Sequence, residues 1–348
     1  MAKVAFCGDI HFGFENNSES HNQYLLEFFE WMVTRCNEME IDYFIIGGDF
    51  FDVRDKIDVR TLNYGIRACK YIQKEFKGVE FYNLLGNHDL FYRDRLDVAS
   101  ANVLDPYCNL ITKNTEVTLD GHKCLITPWI TDSEHWGRTV EQSADAEYMF
   151  AHMEFSGFRM NDAYIMEHGY THKALKGLKR VITGHYHKRQ IIDNVIYPGS
   201  PFPFDFGDAN DTERGFCVLD LDTNKVDFHD WGKVKICSVT YAQYEEQKST
   251  FDEHTKVRVE MPDDIDDSVI EEVQNELSAQ GVRLARIKYE GNKAKEVMEG
   301  SVEIDEVENI DQRVMSTFDT VEYNSKDIKP DLLKDLYQQA VDFHGESS

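Results

Sequence analysis

The run DYFIIGGDFFD at residues 42–52 decides how this chain folds. Tyr43, Phe44, Ile45 and Ile46 are apolar in succession, the pattern of a strand buried on both faces; a strand with one wet face would alternate. Two glycines follow, which let the backbone turn sharply without a Cβ clash. Acidic residues come directly after the turn. The same order recurs upstream in KVAFCGDIH (3–11) and downstream in EFYNLLGNHD (80–89), EYMFAHMEF (147–155) and RVITGHYH (180–187). Between the first three runs the period changes. Residues 22–37 place Leu25, Leu26, Phe28, Phe29, Met32 and Val33 at helical spacing, and 59–76 read as a second helix. Buried strands alternating with helices are the pattern of an α/β layered core.

The pattern then turns to β. QIIDNVIYPGS (190–200) reads as a hairpin around Asp193-Asn194, and RGFCVLDLDTNKVDFHDW (214–231) as another with its turn near 222–224. These hairpins make the sheets mixed, and the core is expected to end at residue 233. Beyond it the character changes. KVRVEM (256–261), SVIEEVQNELSAQ (268–280) and RLARIKYEG (283–291) read as strand, helix and strand, a small α+β unit over 234–291. A charged connection at 292–301 leads to a helical segment at 302–348. Its apolar residues Ile304, Val307, Ile310, Val314 and Phe318 recur at helical spacing, and Pro330 opens a second helix carrying Leu332, Leu333, Leu336, Ala340 and Phe343.

Composition removes several classes. With 348 residues, 41% hydrophobic and 12% aromatic, the chain is long enough for a large core and a smaller domain, and is not of disordered composition. No run approaches the ~18 apolar residues of a membrane span, and the start MAKVAFCGD lacks the pattern of a signal peptide. Seven scattered cysteines, without a CxxC pair, read as reduced core residues of a cytoplasmic protein. The formal charge of −27 opposes a polyanionic substrate at long range, yet it is unevenly spread. Residues 241–348 hold 12 basic against 27 acidic side chains. Residues 173–189 hold six basic and no acidic ones, and 54–95 hold nine against six. These stretches read either as a basic face or as solvated surface of mixed charge.

The chemistry gathers at the strand ends: GDIH (8–11), GGDFFD (47–52), GNHD (86–89), AHMEF (151–155) and GHYH (184–187). Open α/β sheets place their sites outside the carboxyl ends of strands. Asp9 and His11, like His185 and His187, are two residues apart in an extended segment and therefore point to one side. Asp9, His11, Asp49, Asn87, His152, His185 and His187 make a set of two carboxylates, one amide and four imidazoles. Such donors suit manganese, iron or zinc better than calcium, and seven are too many for one ion but right for two sharing a carboxylate. Any one cluster alone is weak, and a lone histidine is more often core or surface than ligand. Five in this order point to a binuclear site.

In that order, GDxH, GGDxxD, GNHD, a lone histidine after a strand and GHxH, the chain resembles the calcineurin-like metallophosphoesterase superfamily. Within it the chain is similar to the nuclease subunits of the SbcC–SbcD type of double-strand-break complex, most of all those of T-even-like phages. GGDFFDVRD (47–55), TPWI (127–130), YPGSP (197–201) and ERGFCVLD (213–220) add to the likeness, which covers residues 1 to about 220. The resemblance implies a layered sandwich of two mixed β-sheets flanked by helices. It implies a nuclease domain at 1–233, a DNA-capping domain at 234–291, a linker at 292–301 and a helical segment at 302–348 that docks on an SMC/ABC-type coiled-coil ATPase. The alternative for that last segment is an amphipathic tail folded back on its own domain.

The resemblance also assigns roles. Asp9, His11, Asp49 and His187 would hold one divalent ion and Asp49, Asn87, His152 and His185 the other, Mn2+ in the first instance, with Mg2+, Fe2+ or Zn2+ as alternatives. His88 would meet the phosphate and assist the leaving oxygen. Expected activities are 3′–5′ exonuclease on duplex DNA and endonuclease on single strands. Expected DNA contacts are Arg54, Arg93, Arg95, Lys188 and Arg189, and a homodimer would form through helices at 59–76 or 97–104. One residue departs from the cellular nucleases, which often end the second motif in His where this chain has Asp52. That residue is expected to accept a hydrogen bond from His88. Phosphatases of the superfamily place Arg directly after this Asp and read GNHE in the third motif; here Val53 intervenes and the motif is GNHD. A phosphatase or small phosphodiesterase, and a non-catalytic DNA-end scaffold, remain the rival readings.

Overall fold

Two six-stranded sheets face each other and a three-stranded sheet follows them. The computed structural model describes residues 2–160, 164–262, 264–282 and 284–289. The expected linker at 292–301 and helical segment at 302–348 lie outside these residues, as do the last two of the 234–291 unit.

The chain enters the first sheet at β1 (Lys3–Cys7) and crosses a helix, Glu19–Glu38, into β2 (Tyr43–Ile46). A second helix, Val59–Glu75, leads to β3 (Glu80–Leu84), and a 3-10 segment, Ser100–Tyr107, to β4 (Asn109–Ile111). These four strands are parallel neighbours in order. Ser18 caps the first helix and Asp58 the second, each side chain accepting from a backbone N–H of the opening turn. The stretch expected to be helical at 97–104 is instead a 3-10 segment that starts at Ser100.

The second sheet begins with an antiparallel pair, β5 (Thr115–Leu119) and β6 (His122–Thr127). After the helix Ser133–Ser143, β7 (Tyr148–His152) and β8 (Arg180–Gly184) run parallel to β6. β9 (Gln190–Ile192) and β10 (Val195–Tyr197) form the expected hairpin, and Asp193 adopts φ 54° at its turn. The second hairpin, β11 (Gly215–Asp220) and β12 (Val226–Asp230), returns to the first sheet antiparallel to β1.

Alternation along the strands divides the core as a pleat requires. Val4, Phe6, Ile45, Leu84, Ile126, Phe150, Ile182 and Leu219 fill the space between the sheets. Ala5, Cys7, Phe44 and Ile46 face the opposite way, onto Phe28, Phe29, Met32 and Ile72 of the two long helices. The outer face of the second sheet, through Leu125, Met149 and Val181, packs on Phe155, Phe158 and Trp136. All seven cysteines are free, and five are buried in these layers. No helix among the described residues is long and apolar enough to cross a membrane.

The third sheet is all parallel: β13 (Lys235–Thr240), β14 (Thr255–Met261) and β15 (Leu284–Tyr289). Helices Tyr241–Gln247 and Asp267–Ala279 cover it, and Val239, Tyr244, Val257, Val259, Val273 and Leu277 make a separate core. β13 and the short helix after it had no clear signal in the sequence. This unit is tied to the larger body by polar contacts. Lys256 pairs with Glu15, the Tyr24 hydroxyl meets His254 Nδ1 at 3.0 Å, and Asn210 meets the backbone of Ser238.

One contact between layers also shapes the functional end. A Cβ at Gly47 would lie 2.1 Å from the ring of Phe6, so the bulk of Phe6 between the sheets fixes the residue that opens the turn after β2. Phe6 is fully buried. Its truncation to alanine leaves a cavity whose cost is about 3–5 kcal/mol, read as a fall in the midpoint of urea denaturation at unchanged slope.

Candidate metal centre

The sequence clusters converge at the carboxyl ends of five parallel strands, three from one sheet and two from the other. Asp9 and His11 follow β1; Asp49 and Asp52 follow β2; Asn87, His88 and Asp89 follow β3. His152 ends β7, and His185 and His187 follow β8. Three groups of ligand atoms, each within 4.8 Å of one another, result: Asp9, His11 and His187; Asp49, His152 and His185; and His11, Asp52 and His88. Asp9, His11, Asp49 and His152 are buried.

Backbone geometry brings them together. Asp9, His11, Asp49 and His185 all have positive φ, at 55°, 55°, 50° and 107°. Non-glycine residues rarely occupy this region, at a cost of order 1–3 kcal/mol each, and such residues cluster at functional sites. Gly48 shares the turn at φ +91°; a Cβ there would stand 2.5 Å from His152 Nδ1, so the β2 turn and the β7 histidine interlock only around glycine.

Hydrogen bonds decide which ring nitrogens are free. His152 Nδ1 lies 2.7 Å from the Gly47 carbonyl, and His88 Nδ1 lies 2.7 Å from the Asp52 carbonyl. A carbonyl only accepts, so both Nδ1 atoms carry hydrogen and both Nε2 atoms are left for other work. His11 Nδ1 lies 3.1 Å from the Asp52 carboxylate, which turns His11 Nε2 toward His187 Nε2 at 3.1 Å. The expected side-chain bond from Asp52 to His88 is therefore corrected. His88 is held by the backbone of Asp52, and the carboxylate is spent on His11.

Asp49 stands between the two ligand groups. Its Oδ1 accepts the His88 backbone N–H at 2.7 Å; its Oδ2 is 3.3 Å from His152 Nε2 and 3.7 Å from His11 Nε2. Asn87 Oδ1 faces His152 Nε2 at 3.1 Å and His185 Nδ1 at 2.9 Å. A donor set of this kind fits divalent cations on two counts. Asp9 Oδ2 is buried without a hydrogen-bond partner, although its Oδ1 accepts from the His185 N–H at 2.8 Å. And two imidazole lone pairs cannot face each other at 3.1 Å unless a proton or a cation lies between them.

Electrostatics follow burial. Desolvation pulls the His152 pKa down, but the Asp49 carboxylate more than offsets it, and the value rises to about 9. Burial and the charge of His152 push His185 down to about 3, and burial with the His11 charge takes His187 well below its usual range. Asp49 is held far below the ordinary carboxylate range; its own burial opposes this, and His152 and His11 overcome it.

Asp89 belongs to the third motif but carried no assigned role. It is buried, and its carboxylate accepts N–H bonds from Phe50, Phe51 and Gly86 at 2.9–3.3 Å, locking the second and third turns together. Burial and Asp49 push its carboxyl up to about 7. Two aromatic walls were also missed. Trp129, in TPWI, packs its ring 5.1 Å from His185, and Phe204 lies 5.7 Å from His11 and 5.3 Å from His187. Neither has a periodic signal, since both sit in loops. His21, assigned to core or surface, is buried beside Phe204 with its Nε2 unpartnered.

The expected DNA contacts divide. Arg93 is exposed and Arg54 and Lys188 are half-buried. Arg95 is exposed and paired with Asp97 at 2.7 Å. Arg189 differs from the expectation of a surface contact: it is 11% exposed, bonded to Asp230 at 2.5 Å and the Pro198 carbonyl at 3.3 Å, and stacked over Phe228. A guanidinium so engaged braces the hairpin β11–β12.

A profile described as calcineurin-like phosphoesterase matches residues 2–189, which include every candidate ligand. Exonuclease subunit 1 of Enterobacteria phage T4 is 29% identical over 231 residues, 65% of this chain and 67% of that protein. A protein of Invertebrate iridescent virus 3 with a provisional phosphoesterase name is 27% identical over 221 residues, 60% of this chain and 60% of its own length. Among solved structures, a dimetal phosphatase from Danio rerio is 12% identical, with TM-score 0.41, over 67% of this chain and 97% of that one.

Binding a cation requires unprotonated imidazole, so His152 sets a pH dependence. Its pKa in the folded, metal-free protein lies above the ordinary 6.5, so the stabilisation from its charged form is complete below pH 6.5 and lost as pH rises through about 9. Over that window divalent metal uptake releases protons and tightens with pH. Calorimetry of Mn2+ binding in buffers of different ionisation enthalpy measures the release.

Proposed function

The chain belongs to the calcineurin-like phosphoesterase family, and we propose that within it the protein is a DNA nuclease working with two divalent ions. The observation that carries the proposal is Asp49, whose carboxylate reaches both ligand groups while its other oxygen holds the backbone of His88. Asp9, His11, Asp49 and His187 would hold one ion; Asp49, Asn87, His152 and His185 the other. Bound there, two divalent ions supply Lewis-acid stabilisation of the charge on the entering and leaving oxygens of an in-line displacement at phosphorus. Manganese is our choice among the metals that suit these donors.

The chain's own residues then have separate tasks. His88, its Nδ1 fixed by the Asp52 carbonyl, presents Nε2 to the phosphate and protonates the leaving oxygen. The Asp52 carboxylate orients His11 through Nδ1 and raises its basicity as a ligand, as outer-shell carboxylates do for metal-bound histidines. Asp89 keeps the turns bearing Asp49 and His88 in register. Trp129 and Phe204 back the ligating rings and restrict their rotation.

DNA as substrate is supported by the relative named an exonuclease subunit and by the GNHD motif with Val53 ahead of Arg54. Arg54, Arg93 and Lys188 are the cations we assign to the DNA backbone. The word subunit in that name also supports a partner protein, which we propose to be a coiled-coil ATPase engaged through 302–348, with homodimerisation through the helical stretch at 59–76. An ATPase that brings basic surface would reconcile DNA binding with the charge of −27. The 234–291 unit is proposed to cap the substrate.

The test is a nuclease assay with Mn2+ on end-labelled duplex and on single-stranded circular DNA. His88→Ala should keep both metals by elemental analysis and lose cleavage ~10²–10⁴-fold; loss of metal would make His88 a ligand instead. Asp52→Asn should weaken metal affinity ~10–100-fold through His11, measured by chelator competition. If metal affinity is unchanged and only turnover falls, the carboxylate acts elsewhere.

A further inference from the structure

Two large aromatic side chains stand in the open directly after the third motif. Phe91 is 48% and Tyr92 43% exposed, although the residues before them, Leu84 to Leu90, are largely interior. Single exposed apolar residues need no explanation, but contiguous ones mark contact surfaces. Their rings meet edge to face at a centroid distance of 4.8 Å, and the Arg95 guanidinium lies 4.3 Å over the Tyr92 ring. Val98, 42% exposed, belongs to the returning arm of the same loop.

The loop is built to hold these rings still. Leu90 and Ala99 form an antiparallel bridge, and Phe91 N–H donates to the Val98 carbonyl at 3.1 Å. Below the bridge, the Asp89 carbonyl accepts from Ser100 N–H at 2.7 Å and from the Ser100 hydroxyl at 3.2 Å. The Asp89 carboxylate is itself clamped by three backbone N–H groups of the metal-centre turns. The aromatic pair is thus a rigid continuation of the turn that carries Asn87 and His88. Phe91 follows His88 by three positions, no more than about 11 Å of chain.

We propose that Phe91 and Tyr92 form a stacking platform for an unpaired base of the strand whose phosphodiester lies at the metal centre. The proposal rests on the nuclease reading and assigns its substrate preference. Bases stack on aromatic rings irrespective of sequence, and a cation beside the ring adds attraction for the phosphate. Arg93 and Arg95 flank the rings but are balanced by Asp94 and Asp97, the latter paired with Arg95. On a loop so close to neutral, the strand already held at the adjoining metal centre is a better occupant than a second copy of a chain with net charge −27. A duplex offers no free base face except at a frayed end, so the platform favours single strands and melted termini.

The experiment uses the full chain with Mn2+ and two single-stranded oligonucleotides, one with all its bases and one with abasic sites around the cleaved bond. The wild type should show a KM lower by about tenfold or more for the intact strand. The Phe91→Leu/Tyr92→Leu variant should lose that discrimination, with kcat within twofold, and Tyr92→Trp should retain it. A wild type that cuts both strands with equal KM overturns the platform and leaves the nuclease reading intact. So does a double variant that still discriminates. A variant that changes from dimer to monomer while still discriminating reassigns the patch to contact between copies. A wild type that cuts neither strand, yet hydrolyses a small phosphodiester, overturns the nuclease reading and the platform with it.

Discussion

Everything at the functional end is organised around one buried carboxylate. Asp49 is 2% exposed, and an unpaired charge at that depth would cost several kcal/mol. It is compensated from three sides, by the backbone N–H of His88 and the imidazoles of His152 and His11. Each partner is fixed by something behind it. His152 leans on the Gly47 carbonyl, His11 on the Asp52 carboxylate, and Gly47 is glycine because Phe6 fills the space beside it. The chain of dependence runs from the layer between the sheets to the ligand atoms without a break.

Much of this was legible in the sequence because burial and chirality leave plain marks. A strand between two layers reads as a continuous apolar run, and a turn through positive φ reads as glycine or as Asp, Asn and His. The five clusters therefore announced themselves, and the structure brings Asp9, His11 and His187 into one group and Asp49, His152 and His185 into another, with Asn87 beside the second. What the sequence hides is which atom of a residue does the work. That Asp52 is close to His88 could be expected; that its carbonyl meets His88 while its carboxylate turns to His11 depends on a turn conformation no motif encodes. Trp129 and Phe204 lie in loops without a period to reveal them. β4 to β6 were likewise passed over, since β5 is a half-exposed edge strand between polar turns.

The family assignment and the geometry bear on different questions. The match over residues 2–189 shows the kind of reaction this scaffold supports, a metal-assisted phosphoester hydrolysis. It does not choose between a phosphoprotein and a nucleic acid. Our proposal of a nucleic acid draws on features outside the ligand set, the aromatic hairpin after the third motif and the parallel sheet tied to the core through Lys256 and His254. Arg189, which looked like part of a basic face, shows how little a run of cations says until its partners are known.

The ligand atoms are spread over nearly 180 residues, from Asp9 to His187, and are drawn from two separate sheets. A chain emerging from the ribosome has three strands of the first sheet long before β8 is made, because domains form in the order of synthesis. Until residue 185 is available, neither ligand group is complete, and the first still waits for residue 187. The metal-binding geometry therefore arrives late and nearly all at once, and a copy that stops before β8 carries neither ligand group.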